Sequence, residues 1–476
     1  MRTDFSSRVP FLVAVVLLAV LSPAVSAQAP LGVPADVDVV FQEWESNTTP
    51  GCAVAASRGG APVLARAYGM ADLEHGVANT PETIYEAGSV SKQFTAAAIV
   101  LLALEGALSL DDDVRRYVPE LPDYGRTITI RHLLNHTSGL RDWGSVAGIS
   151  GWGRSNRSHN HDHVLDILSR QTALNYPPGE QYSYTNSGYN LMAVIVDRVS
   201  GQSFADFSRD RIFEPLGLTS TQWRDDYRRI VSGRASAYAR RGGEFVIDRP
   251  IEHVHGNGGL LTTVGDLLRW DRALATGEGL GGEEFVRLMH EQGVLNDGTT
   301  ITYASGIRVS ERHGVPEVSH TGSTAGYRAF LGRYPDQDLA VALLCNVGAV
   351  SPGALGGQVV DMFLAGEVEI PVRPAASRPA STRPDPYRVP ADQLAAYAGT
   401  YNSPDAETTF RVMIEDAELV VHRRPDARFT LTPVERDVFR GGPGSFTFHR
   451  DEAGRVVEFG LSLGRVFDMR FYRTED

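Results

Sequence analysis

The order of the periodicities constrains this chain most. Gly51 to Tyr68, "GCAVAASRGGAPVLARAY", reads as two strands around an Arg-Gly-Gly turn. Helical patterns then dominate, over Ser91–Leu104, His163–Arg170, Leu191–Val199, Phe204–Ile212 and Val264–Leu274. Thr263 with Asp266 three residues on marks the start of the last of these. Strand patterns return at "ITYASGIRV", "EVSHTGS", "YRAFLGRYP" and "LAVALLCNV", with "PDQD" as the turn between the last two, and a helix follows over Gln358–Leu364. Strands at both ends of a helical middle predict an α/β chain of the α+β kind. Its one mainly antiparallel sheet is assembled from early and late segments, and the middle is inserted as a helical lobe. A cleft between lobes is where ligands usually bind.

Glu367–Pro390 holds six prolines and no helical period, so residues 367–390 read as a semi-rigid linker. Beyond it, residues 391–476 alternate with period two in short runs such as "TFRVMIE", "ELVVHRR" and "FDMRFYR", which predicts a small all-β barrel or sandwich. The first 27 residues differ from all of this: Arg2 and Arg8, the apolar run "FLVAVVLLAVL", then small residues at Val25 and Ala27. That is the pattern of a secretory leader cut after Ala27, and the apolar run is too short to span a bilayer. The chain is therefore expected to be secreted or periplasmic, with no membrane anchor once the leader is removed. A formal charge of −13 without a basic tract argues against a nucleic-acid partner. The substrate expected is a small molecule or peptide, and the sequence names no protein partner. Export permits a bridge between Cys52 and Cys345, but the strand-like surroundings favour two buried small side chains.

Lys92, in "EAGSVSKQFTAAA", is the chain's sole lysine; every other Lys or Arg position is arginine. Arginine cannot lose its proton at any usable pH, whereas a desolvated lysine can. A position that keeps lysine is therefore a candidate for an amine that exchanges a proton. Ser89 lies three residues earlier, at the start of the same helical pattern, so the two side chains share a face. Amine, hydroxyl and helix N-terminus together can make a serine nucleophile reachable. The plainer alternative is that Ser89 or Ser91 caps the helix and Lys92 points to water. Two further stretches carry the same ambiguity. "YTNSGYN" places Tyr184 and Asn186 ahead of a helix, where Asn186 or Ser187 could simply be a cap. "VSHTGSTAGY" places His320, Thr321, Gly322 and Ser323 at a strand end, where glycine lets a ligand approach the backbone.

In this order, Ser89-Val90-Ser91-Lys92, Tyr184-Thr185-Asn186 and His320-Thr321-Gly322 resemble the penicillin-recognising serine hydrolases, which comprise class C β-lactamases, D,D-carboxypeptidases, D-aminopeptidases and β-lactamase-like esterases. "IRHLLNHTSGL", "IFEPLGLTST" and "GNGGLLTTVGDL" share the resemblance, which covers about residues 35–366. It implies a β-lactamase/transpeptidase-like domain over residues 28–366, and the tail is similar to an appended lipocalin-like β domain. It also implies Ser89 as nucleophile, and Lys92 with Tyr184 as an acid/base pair. Asn186 and His320-Thr321-Gly322-Ser323 would contact substrate, and the backbone N–H groups of Ser89 and Ser323 would form the oxyanion hole. Many relatives carry lysine where this chain has His320, and some peptidases and esterases have histidine. Histidine supplies charge only when protonated. That moves the expectation from an efficient β-lactamase toward an amide-, peptide- or ester-cleaving hydrolase. A β-lactamase with rapid deacylation and a non-turnover penicillin-binding sensor or scaffold are the alternatives. No cofactor or metal motif stands out. His159, His161 and His163 alternate in a polar loop and read as solvated, Asp162 as the cap of the following helix, and His136 in "NHTSG" as a structural turn residue.

Overall fold

The computed structural model describes Met1, residues 37–371 and residues 387–474. The leader-like segment and most of the proline-rich linker lie outside the described residues. The main sheet has six antiparallel strands: β1 (Cys52–Arg58), β2 (Ala61–Tyr68), β3 (Arg308–Arg312), β4 (Val315–Thr324), β5 (Tyr327–Tyr334) and β6 (Leu339–Cys345). Their order across the sheet is β3-β4-β5-β6-β1-β2, so β1 lies between its own hairpin partner and a strand from the far end of the domain. The sheet is thus built from early and late segments, as the order of periodicities predicts.

Period two explains how both faces are covered. Along β1 and β6, Cys52, Val54, Ala56, Val341 and Leu343 enter one core, and Ala53, Ala55, Ala342 and Leu344 enter the other. The first core is closed by the helix Pro352–Leu364 and the second by the helix Val264–Thr276. Such two-sided burial is why these strands read as continuous apolar runs. Cys52 stands directly opposite Cys345, and the two are bridged, with an S–S distance of 2.13 Å.

The helical lobe is organised around α1 (Lys92–Leu104), whose residues from Lys92 to Leu102 are all buried. A helix buried all round belongs to an interior, and α1 packs against α2 (Asn186–Ser200). Several elements begin or end elsewhere than periodicity predicts. Thr185, not Asn186 or Ser187, caps α2 by accepting from Ser187 N, so the helix starts five residues before Leu191. The helix expected from Gln358 starts at Pro352, which suits a first-turn position. Phe204–Ile212 divides into an α-turn to Ser208 and a wider turn over Arg209–Phe213. The strand expected over 301–309 is confined to Arg308–Arg312. Asp162 is not the cap of its helix: Asn160 is, with His163 Nδ1 accepting from the Asn160 N–H in return. Thr263 does cap its helix, accepting from Asp266 N at 3.2 Å.

The tail forms a closed antiparallel barrel of eight strands in sequence order, β7 (Gly399–Ser403), β8 (Thr408–Glu415), β9 (Glu418–Arg423), β10 (Ala427–Glu435), β11 (Val438–Gly441), β12 (Gly444–Arg450), β13 (Val456–Leu463) and β14 (Val466–Arg473). This is the up-and-down closure a lipocalin-like domain implies. Its interior is filled by aromatic side chains, Phe410, Phe446, Phe459 and Phe471 among them, all fully buried. The barrel is docked on the helical lobe. Arg141 donates to Asp405 at 2.5 Å, and the Asp405 carboxylate also accepts from the N–H and hydroxyl of Thr172. Both charged groups are buried. Removing one partner of such a pair strands the other, at a cost of about 3–5 kcal/mol. Asp405→Ala is therefore expected to lower the melting temperature clearly, and to expose the docking face to limited proteolysis.

Candidate active site

Ser89 sits in a single 3-10 turn, Gly88–Ser91, that feeds directly into α1. Two glycines let this turn touch β4. A side chain at Gly88, which has φ +50°, would stand 2.6 Å from Ser323 N, and one at Gly322 would stand 2.0 Å from Ala87 O. Only glycine at both places lets the Ser89 turn and the Ser323 end of β4 approach this closely. The Ser89 amide belongs to the first turn and has no intrahelical partner.

Below them lies Lys92, fully buried at the start of α1. Its Nζ donates to Ser89 Oγ at 3.3 Å, Asn186 Oδ1 at 2.9 Å and Asn257 O at 2.6 Å. All three acceptors are neutral. Burial, reinforced by the nearby Arg465 and Arg154 guanidiniums, holds the amine well below the usual lysine range. The ammonium form therefore gives up its proton more readily here than in water.

Tyr184 stands on the other side, with its ring centroid 4.8 Å from Lys92 Nζ. Its hydroxyl has no hydrogen-bond partner among the described residues. Burial pushes the phenol well above its usual value, and the neighbouring Ser89 hydroxyl and Arg465 guanidinium pull it partly back. His136 packs behind it, at 4.2 Å between ring centroids, and its Nδ1 accepts from Thr185 N. His136 is the turn residue expected from the sequence, with φ 59°, and it also shelves the phenol. Asn186 is held by its backbone N–H, which donates to the buried Asp142 carboxylate at 2.8 Å, leaving its amide free to face Lys92.

His320 is committed on both ring nitrogens. Nδ1 lies 2.6 Å from Thr321 O, and a carbonyl only accepts, so that nitrogen carries the proton. Nε2 then accepts from the Tyr303 hydroxyl at 2.9 Å. Burial, then the Lys92 charge, brings its pKa down to about 3. At any ordinary pH this ring is neutral.

Ser89, Tyr184, Asn186, His320, Thr321 and Ser323 line one cavity of about 490 Å³; Lys92 lies beneath it and Gly322 behind it, against Ala87. Every site residue singled out in the sequence is thus brought to one place. The same cavity is lined by residues the sequence reading leaves out: Asn257, Arg154, Arg308 and Arg465. Asn257 lies in the quoted "GNGGLL" stretch, so its position was signalled; Arg465 comes from the barrel and carried no signal. A broader groove of about 1120 Å³ adjoins the cavity and shares Arg154, Ser323 and Thr324 with it. His159, His161 and His163 lie away from the cavity and are tied up locally: His161 Nε2 contacts His255 O, and His159 Nε2 contacts Trp152 O. His159 is buried and His161 and His163 part-buried, so they are structural groups rather than solvated ones. Chemically, the arrangement offers a hydroxyl with a buried amine of lowered pKa against it and a phenol beside the amine, on a cavity wall that the nucleophile-bearing turn shares with β4.

Comparison with known proteins agrees with this geometry. Residues 37–356 match the Beta-lactamase family model, and residues 383–475 match a domain of unknown function, DUF3471. The chain is 31% identical over 318 residues to penicillin-binding protein 4* of Bacillus subtilis (strain 168), covering 62% of this chain and 67% of that protein. It is 29% identical over 310 residues to a D-aminopeptidase of Brucella canis, covering 64% of this chain and 58% of that one, so it spans about three-fifths of that relative's length. The octameric penicillin-binding protein homologue from Pyrococcus abyssi shares the fold across both parts, with a TM-score of 0.61, 23% identity, and coverage of 93% of this chain and 99% of that one. With a nucleophile turn, a buried lysine, a tyrosine–asparagine element and a glycine-bearing strand all meeting in one cleft, and with the family model spanning most of its length, this chain belongs to the beta-lactamase family, that of the penicillin-recognising serine hydrolases.

Proposed function

We propose that the protein is an exported hydrolase that works through an acyl-enzyme on Ser89 and cleaves an amide, peptide or ester bond. The observation that carries this reading is the buried amine of Lys92, in contact with Ser89 Oγ and hydrogen-bonded only to neutral acceptors among the described residues. In acylation, Ser89 Oγ attacks the substrate carbonyl and its proton passes to the Lys92–Tyr184 pair. The tetrahedral oxyanion is held by the amides of Ser89 and Ser323. The C–N or C–O bond then breaks, and the leaving amine or alcohol takes the proton back from the pair. In deacylation a water molecule gives its proton to the same pair and its oxygen to the ester carbonyl, releasing the acid and restoring Ser89. Asn186 orients the substrate amide or carbonyl while holding Lys92. The named D-aminopeptidase relative supports amide chemistry over β-lactam chemistry, as does the neutral His320. Export is supported by the leader-like first 27 residues and by the Cys52–Cys345 bridge, which persists in an oxidising compartment.

Intact-mass spectrometry after exposure to a fluorophosphonate or a fluorescent penicillin tests the acyl-enzyme. One adduct per chain is expected, mapping to the peptide that contains Ser89, with the penicillin label lost again as deacylation proceeds. A permanent penicillin adduct would replace the hydrolase by a sensor; no adduct with either reagent would leave only an inert scaffold.

A further inference from the structure

The groove that adjoins the active-site cavity carries a charge unlike the rest of the chain. It has a volume of about 1120 Å³ and opens beside Ser323 and Thr324, at the end of β4. β3 pairs with β4 only as far as Ser319, so His320 to Thr324 lead from the cavity toward the groove with no strand paired on that side. Six arginines line the groove against two acids, Asp248 and Glu252, in a protein whose formal charge is −13.

Four of those arginines are already engaged. Arg154 is held by both oxygens of Glu252, Arg228 by Asp226, Arg229 by Asp225, and Arg234 by Glu86 and the Tyr327 hydroxyl. Arg241 and Arg249 form no ion pair among the described residues. Arg249 donates to Ser236 Oγ, and Arg241 closes the hairpin Tyr238–Arg241/Glu244–Ile247 opposite Glu244 without reaching its carboxylate. Asp248, the groove's other acid, lies within electrostatic reach of Arg328 of β5. The same wall holds apolar side chains open to solvent: Ile230 is 94% exposed and Ile247 51%. A concave wall that gathers exposed apolar groups and uncommitted charge marks a binding surface. A guanidinium fork matches a carboxylate bidentately.

Which half of a substrate would lie there follows from the acyl-enzyme reading, on which this inference rests. In that reading Tyr184, with Lys92, returns the proton to the departing atom, and Tyr184 lines the first cavity and not the groove. The leaving half therefore stays in the first cavity, and the acyl half runs past Ser323 into the groove. We infer that Arg241 and Arg249 bind a carboxylate at the far end of the acyl portion, which reaches them through an apolar stretch lying on Ile230 and Ile247. The preferred substrates are then amides or esters of an acid that carries a second, distal carboxylate.

The test uses p-nitrophenyl monoesters of adipate, suberate and sebacate, each against the same ester with its far carboxylate replaced by a carboxamide, on the full-length protein. Leaving group and chain are then identical, and only the distal charge differs. At one chain length or more, the wild-type kcat/KM is expected to favour the acid by about tenfold or more, the effect of hydrogen bonds to a charged group. Arg241→Ala and Arg249→Ala are each expected to shrink that preference about threefold or more, chiefly through KM, and the double variant to remove it. Both side chains are exposed, so the variants should fold, and undiminished fluorophosphonate labelling of Ser89 checks that. Three results would overturn the groove assignment and leave the nucleophile standing: equal rates on acid and amide at every length, a preference that survives the double substitution, or labelling without turnover of any of these esters. Neither turnover nor label would overturn both.

Discussion

Ser89→Ala lowers turnover by roughly four to six powers of ten on whichever ester or peptide the wild type cleaves, and abolishes the covalent adduct. The size follows from chemistry. In the proposed acyl-enzyme mechanism Ser89 Oγ is the atom that forms the new bond, and the residual rate is what the oxyanion amides and binding would supply without it. The same substitution touches little else. Lys92 keeps its bonds to Asn186 and Asn257, and Ser89 itself is only part-buried. The melting temperature should therefore stay close to wild type while activity disappears. A variant that keeps even a hundredth of the wild-type rate would move the nucleophile elsewhere.

Lys92→Arg is the second large effect, and the more informative one because it conserves charge. The amine occupies a slot with oxygens at 2.6, 2.9 and 3.3 Å, and its side chain has no solvent exposure. A planar guanidinium is larger and cannot release its proton. The variant is expected to fall almost as far as Ser89→Ala. Retained activity would refute proton exchange by this residue. The wild-type pH profile checks the same point without any substitution. A base must be unprotonated to act, so kcat/KM should rise with pH through the lowered pKa of Lys92 and fall away on the acid side. His320, with its pKa near 3, stays neutral across that range, so the acid limb does not belong to it.

How much of this was legible in advance depended on distance along the chain. Ser89 and Lys92 are one turn apart, and their contact follows from helix geometry. Tyr184–Asn186 and His320–Gly322 could be placed only as cap-like and strand-end motifs; their meeting required a resemblance to whole proteins, because periodicity does not say which elements share a cleft. The two-sided β1 and β6 announced a buried sheet but left the Cys52–Cys345 pairing open, since strand register is a tertiary fact. Asp142 drew no attention in the sequence; it caps the helix Trp143–Ser150, accepting from Ser145 N. Its second oxygen is what anchors Asn186. Arg465 was invisible for a plainer reason: among so many arginines, one at a hairpin tip has nothing local to distinguish it.

That tip has an evolutionary reading. Ser89, Lys92 and the Ser323 end of β4 are locked into a tightly packed region where Gly88 and Gly322 already sit at steric limits, so few substitutions there are tolerable. The guanidinium over Tyr184 hangs instead from a short turn of a separately packed module whose own interior is built of aromatic and aliphatic side chains. A lineage can alter the electrical character of the cleft by mutating or grafting that turn while the reaction centre stays untouched, which makes the far end of the gene the economical place to acquire a new substrate.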